Sequence, residues 1–187
     1  MFPPITCATA RRLIDEDAPC RPQSNYGKTK YYAEEMVAES FSRGHVILRS
    51  ALVYGWGKGA SHGFLDWLWG SLSRGEKVRA FTDEYRTPVF LKDFIAAVRA
   101  AVSYPRGGRF HVAGSERLSR YEFAQRFCKV MGVDPALVEA VSLDSDSALA
   151  YRPREGGLSN ERMRTVLSVV PTGMERALGI IRDEILR

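Results

Sequence analysis

Apolar positions in the stretch 31–43 recur at helical spacing, with Met36, Val37 and Phe41 predicted to face inward and Gly44 placed as the C-terminal cap. His45 to Tyr54 (HVILRSALVY) is then nearly continuous apolar and β-branched, the pattern of a strand buried on both faces in a parallel sheet. A helix followed directly by such a strand is half of a βαβ unit.

The same reading carries on through the chain. A second helix is predicted from about Gly63 to Arg74, closed by Gly75, and a short strand from Val78 to Phe81. Thr87-Pro88 leads into a third helix, Lys92 to Ser103, with Phe94, Ile95, Val98 and Val102 as its apolar stripe. The turn Pro105-Arg106-Gly107-Gly108 feeds a strand from Arg109 to Ala113. Ser119 and Glu122 form a capping box for a helix running to about Met131, and Asp134-Pro135 starts a short one. Val138 to Leu143 reads as a strand, 144–157 as a loop, and 159–167 and 171–186 as helices. The first 25 residues, rich in Pro, Asp, Glu and Arg, read as a loop.

Composition narrows the class. The chain has 187 residues, 45% hydrophobic and 26% charged, enough for one ordinary globular domain. No apolar run reaches the roughly 20 residues needed to cross a bilayer, and the N-terminus lacks a secretory core, so a soluble cytoplasmic protein with no membrane partner is expected. A net charge of +5 with dispersed basic residues does not point to nucleic acid, and suits an anionic small molecule. Cys7, Cys20 and Cys128 show no C-x-x-C, and His45, His62 and His111 no metal-ligand spacing, so neither disulfides nor a metal is expected.

The candidate chemistry sits just ahead of the first helical stretch. Tyr26 and Lys30 are four positions apart, which puts both on one face of a helix. An ammonium beside a phenol favours the phenolate, so the pair can give a proton to a carbonyl under reduction or take one from an alcohol. Gly55-Trp56-Gly57-Lys58-Gly59-Ala60 follows the apolar strand, but a helix already precedes that strand. It is therefore read as a mobile loop at a strand end rather than a dinucleotide turn.

Taken in order, these segments resemble the C-terminal two-thirds of the extended short-chain dehydrogenase/reductases, in the dTDP-4-dehydrorhamnose reductase-like group that also holds the methionine adenosyltransferase β subunit. The resemblance rests on Glu16-Asp17-Ala18-Pro19, on Asn25-Tyr26-Gly27-Lys28-Thr29-Lys30, and on Leu48-Arg49-Ser50 to Val53-Tyr54-Gly55. It continues in Thr87-Pro88-Val89 with Asp93, Phe110 to Gly114, Leu118 to Glu122, and Arg152-Pro153-Arg154 with Leu158. It implies Tyr26 as proton donor and Lys30 as the residue that holds the nicotinamide ribose. Tyr54 and Gly55 are implied to line the NADP or NAD cleft, and Arg86, Thr87 and Arg152 to approach the substrate.

What the resemblance implies as a whole is an α/β fold: the C-terminal part of a Rossmann-type parallel sheet with a small mixed substrate lobe. Residues 1–62 would be the remnant of the Rossmann core and 63–187 mostly the lobe, with the strand 109–113 returning to the core sheet. The implied function is NAD(P)-dependent reduction of a nucleotide-linked 4-keto sugar or similar carbonyl. Three positions depart from the pattern. No glycine-rich first turn precedes Tyr26, and Thr6 and Thr9 are poor stand-ins for the family's catalytic Ser or Thr. Leu52 stands where Trp is usual, and Gly63 where Asn is common. Dinucleotide binding is therefore expected of a longer parent chain, with this short chain inactive. The alternative is a non-catalytic regulatory or interaction protein like the methionine adenosyltransferase β subunit, and the partners expected besides the small molecule are a second copy in a homodimer or a metabolic enzyme.

Overall fold

Ser24 starts the first helix by accepting a hydrogen bond from the Gly27 N–H at 3.0 Å through its Oγ, a side-chain cap on α1 (Asn25–Ser40). The computed structural model describes residues 13–41, 44–57, 63–145 and 152–186. Cys7, His62, Thr6, Thr9 and the 58–60 part of the glycine loop lie outside these residues.

The predicted strand 45–54 is two strands, β1 (Val46–Ser50) and β2 (Val53–Tyr54), because the chain changes partners at Ala51-Leu52. The Ala51 N–H donates to the Val112 carbonyl at 2.9 Å, and the Leu52 carbonyl then accepts from the Val89 N–H at 2.8 Å. After β2 come α2 (Phe64–Leu72), β3 (Val78–Phe81), β4 (Tyr85–Arg86), β5 (Val89–Phe90), α3 (Leu91–Val102) and β6 (Gly108–Val112). The chain ends with β7 (Leu118–Ser119), α4 (Arg120–Met131), β8 (Val138–Val141), β9 (Glu155–Gly156), α5 (Glu161–Thr165) and α6 (Met174–Ile185).

Strand pairing is mostly parallel. β1 pairs with β6 from Val46–Gly108 to Ser50–Val112, β2 with β5, and β3 with β8. The small lobe adds a mixed sheet in which β4 lies antiparallel to β7 and parallel to β9. Two glycines are required by close approach. Gly107 has φ +68°, and a Cβ there would lie 2.6 Å from the His45 carbonyl oxygen. A Cβ on Gly114 would lie 1.9 Å from the Pro88 oxygen, so only glycine lets these two segments touch.

The main core gathers Leu65, Leu68 and Leu72 of α2, Phe123 and Phe127 of α4, and Leu178 and Ile181 of α6 around Tyr54 and Phe90. Burying each such side chain contributes about 1.5–3 kcal/mol. The capping box is present: Ser119 Oγ accepts from the Glu122 N–H at 3.0 Å, and Glu122 Oε2 accepts from the Ser119 N–H at 2.7 Å. Gly132, at φ +71°, closes α4.

Two predicted apolar faces are corrected. Met36 is 66% and Phe41 58% exposed, Val37 is half-buried, and no residue of α1 is fully buried. On α3, Ile95 and Val102 point outward, while Asp93, Ala97 and Ala101 are the buried positions. Small side chains let that helix approach its neighbours closely.

Candidate functional site

Helix geometry puts Tyr26 and Lys30 on one face of α1, with Lys30 Nζ 5.5 Å from the centre of the Tyr26 ring. Tyr26 is 73% exposed, so its phenol is open to an incoming carbonyl. One turn further along, Glu34 anchors the helix to the sheet. Its carboxylate accepts from Arg49 Nε at 2.8 Å and Nη2 at 2.7 Å, and lies 3.2 Å from Arg109 Nε. Arg49 also donates to Cys20 Sγ at 3.0 Å. The bond to Glu34 raises the Arg49 pKa despite the opposing effect of burial.

The end of β2 has a different character. Tyr54 is only 3% exposed and packs edge-on against Phe123 with ring centres 5.2 Å apart. Burial pushes its hydroxyl well above the ordinary tyrosine range, with Asp93 and Glu116 adding to the effect. Gly55 next to it helps line a cavity of about 310 Å³ with Trp56, Gly57, Phe90, Leu91, Lys92 and Glu184. A Cβ at Gly55 would come within 2.6 Å of Leu91 Cβ, which keeps the strand end against α3.

A third group gathers on Glu84, a carboxylate only 2% exposed at the start of the mixed sheet. Arg86 Nη2 lies 3.0 Å from its Oε1, and Arg120 Nε and Arg152 Nη1 each lie 3.8 Å from its Oε2. Burial lowers the pKa of Arg86 and of Arg120, Glu84 opposes this, and neighbouring arginines add to the lowering. Thr87 is fully buried, and its Oγ1 accepts from the Leu158 N–H at 3.0 Å.

The structure thus joins Tyr26 to Lys30 and Arg86 to Arg152. No hydrogen bond, ion pair or ring contact links these pairs to each other or to Tyr54 among the described residues. Arg120 and Glu84 escaped the sequence reading. Arg120 carried a readable signal: the capping box fixes it as the first residue of a helix, where a cation opposes the macrodipole. Among the described residues, no group of three His, Cys, Asp or Glu is placed to hold a metal, and no helix is long and apolar enough to cross a membrane.

Parallel strand pairs flanked by helices, with a small mixed sheet beside them, define a Rossmann-like α/β architecture. The chain belongs to the RmlD substrate binding domain family, whose pattern it matches over residues 7–186. It is 30% identical over 146 residues to a probable low-salt glycan biosynthesis reductase of Haloferax volcanii, covering 77% of this chain and 47% of that protein. It is 27% identical over 158 residues to a dTDP-4-keto-6-deoxy-D-glucose reductase of Streptomyces niveus, covering 83% of this chain and 53% of that protein. A third relative is methionine adenosyltransferase 2 subunit beta of Bos taurus, 28% identical over 160 residues, covering 81% of this chain and 46% of that one. The chain spans about half the length of these curated relatives.

Solved structures agree on the fold. A dTDP-4-dehydrorhamnose reductase of Clostridium acetobutylicum superposes with TM-score 0.84 at 24% identity, over 95% of this chain and 61% of that one. The Bacillus anthracis enzyme, solved in complex with NADP, gives 0.81 at 22% identity, over 91% of this chain and 59% of that one.

Proposed function

We propose that this chain supplies the substrate-binding part of an NAD(P)-dependent reductase of a nucleotide-linked 4-keto sugar. The observation that carries this reading is the exposed Tyr26 with Lys30 beside it, in a chain of the RmlD substrate binding domain family. Tyr26 and Lys30 fit the nicotinamide end of a cofactor site, because both are open on one face of α1. Lys30 would hold the nicotinamide ribose there. A bound nicotinamide cofactor supplies the hydride that goes to the carbonyl carbon.

The Tyr26 hydroxyl gives its proton to the carbonyl oxygen, so the ketone becomes an alcohol and Tyr26 is left as phenolate. Lys30 stabilises that phenolate by charge. The positive cluster at Arg86, Arg120 and Arg152 draws the phosphate end of the substrate towards the small lobe. Gly55 lines the cavity at the end of β2, and the buried Tyr54 precedes it in the strand.

The test is nicotinamide oxidation with a dTDP-4-keto-6-deoxy sugar, followed for this chain joined to the cofactor-binding half expected of a longer parent, with and without Tyr26→Phe. Losing a general acid lowers the rate by about 10²–10⁴-fold. An unchanged rate in Tyr26→Phe rejects Tyr26 as the donor. The similarity to methionine adenosyltransferase 2 subunit beta supports a second reading, a regulatory protein bound to a metabolic enzyme. Absence of hydride transfer together with co-purification of a synthetase favours that reading.

A further inference from the structure

The helices α4 and α6 pack against each other, with Phe127, Leu178 and Ile181 in the shared core. Beside that seam, side chains of both helices border an open groove of about 990 Å³. On α4 the lining residues Arg126, Lys129 and Val130 share one face by helical spacing. On α6 the same holds for Glu175, Gly179 and Arg182, with Arg176 beside them. None of these residues belongs to the Tyr26–Lys30 pair, to the cavity at the end of β2 or to the arginines on Glu84.

Four cations and two acids line the groove. One acid, Glu116, is engaged within the chain: its Oε2 pairs with Arg126, and its Oε1 accepts from the Met174 N–H at 3.3 Å. The other, Glu175, sits in the first turn of α6, where the macrodipole favours an acid. Arg182 pairs with its neighbour Asp183 at 2.9 Å. Lys129 and Arg176 are exposed and have no hydrogen bond or ion pair among the described residues. Val130 and Met174 add apolar surface to the same lining. Gly179 is the odd residue. Glycine inside a helix is unfavourable relative to alanine, yet a Cβ at Gly179 would meet nothing within 4 Å. Packing within this chain therefore does not call for a glycine there. Without a side chain, the backbone of α6 is open to the groove between Arg176 and Arg182. Solvation accounts for the charges of such a face, and does not account for the glycine.

We propose that the α4–α6 groove docks a short acidic segment of a partner protein, with Lys129 and Arg176 taking its carboxylates and Gly179 admitting its backbone. Charge complementarity names the acids of that segment. The mixed lining selects a peptide over a nucleic acid. A continuous run of phosphates would meet Glu175 and gain nothing from Val130 and Met174. A peptide can space its acids to the two cations and lay an apolar side chain between them. The reductase reading uses none of these residues, so the two stand or fall separately.

The experiment is fluorescence anisotropy of a short labelled peptide of mixed glutamate and leucine, titrated with the full chain at low and at physiological salt. The same peptide with glutamine in place of glutamate, and an oligothymidylate, are the comparison probes. Melting temperatures of each variant are recorded alongside. The acidic peptide is expected to bind, more weakly at the higher salt, and the comparison probes to bind at least ~10-fold more weakly than it does. Reversing both cations, Lys129→Glu with Arg176→Glu, is expected to weaken the acidic peptide by at least ~10-fold. Gly179→Leu is expected to hold or raise the melting temperature, because leucine is the better helix former, and to weaken the peptide by filling the groove. Those opposite signs separate a docking groove from a face that serves the fold alone, and they carry the test if the charge reversal fails to fold. No binding of the acidic peptide, equal binding of the glutamine peptide, or tighter binding of oligothymidylate overturns the proposal. Wild-type peptide affinity in Gly179→Leu overturns it as well. A dimer that the charge reversal dissolves, with no peptide bound, overturns it in favour of a second copy of this chain.

Discussion

The helices α4 and α1 have similar lengths and opposite circumstances. α4 buries Phe123, Ala124, Phe127 and Cys128 against α6, β3 and β8, and its first turn is closed by a reciprocal cap. α1 has no fully buried residue, exposes Tyr26, Tyr32 and Met36 with Phe41 at its C-cap, and is tied to the sheet by Glu34, which pairs with Arg49 and Arg109. The lobe that would bind substrate is packed as a core. The helix that would deliver the proton is attached by charge. Stability and the proposed chemistry are therefore concentrated in different places.

The contrast is sharpest where a core side chain is removed. Phe127→Ala should lower unfolding stability by about 3–5 kcal/mol in a denaturant titration, since the ring is fully buried among α2 and α6 side chains. Glu34→Ala should have an intermediate effect of about 1–3 kcal/mol, because Arg49 loses a charge-assisted, half-buried partner. Its signature is local: amide exchange along α1 should speed up while α4 stays protected.

Acid should act where the N-terminal segment meets β6. His111 on β6 is buried, its backbone N–H donates to Glu16 Oε1 at 2.8 Å, and its Nδ1 lies 3.2 Å from the Ile14 carbonyl. Burial lowers its pKa, while Glu16 opposes that shift. The unfolded chain therefore takes up the proton first. Stability is present above the ordinary histidine pKa of about 6.5 and is lost as pH falls through the folded value. Melting temperature should decline on going from pH ~7.5 to ~5.5, and His111→Gln should flatten that slope. The smallest effect belongs to Met36→Ala, expected within about 0.5 kcal/mol of the parent. A large loss there would mean that α1 has a packed partner.

Much of the fold was legible because local rules and tertiary structure agree. The capping box at Ser119-Glu122, the glycine at 107 and the strands at 78–81 and 109–113 each follow from a few neighbouring residues. The inward face of α1 was misread because periodicity says which residues share a face, and says nothing about whether a partner covers it. The break at Ala51-Leu52 was hidden because it depends on Val112 and Val89, distant in sequence. The Tyr26-Lys30 pair was visible from spacing alone. The arginine cluster was only half visible, since Glu84, Arg86, Arg120 and Arg152 come together through β4, α4 and the approach to β9.

The most direct test of the account is hydrogen exchange on the full chain with and without dTDP. It predicts slow exchange in α4 and β3, added protection on dTDP at 84–86 and at the start of α4, and exchange in α1 faster than in α4 in both states. Exchange in α1 as slow as in α4 without ligand, or a dTDP response confined to α1, would contradict it.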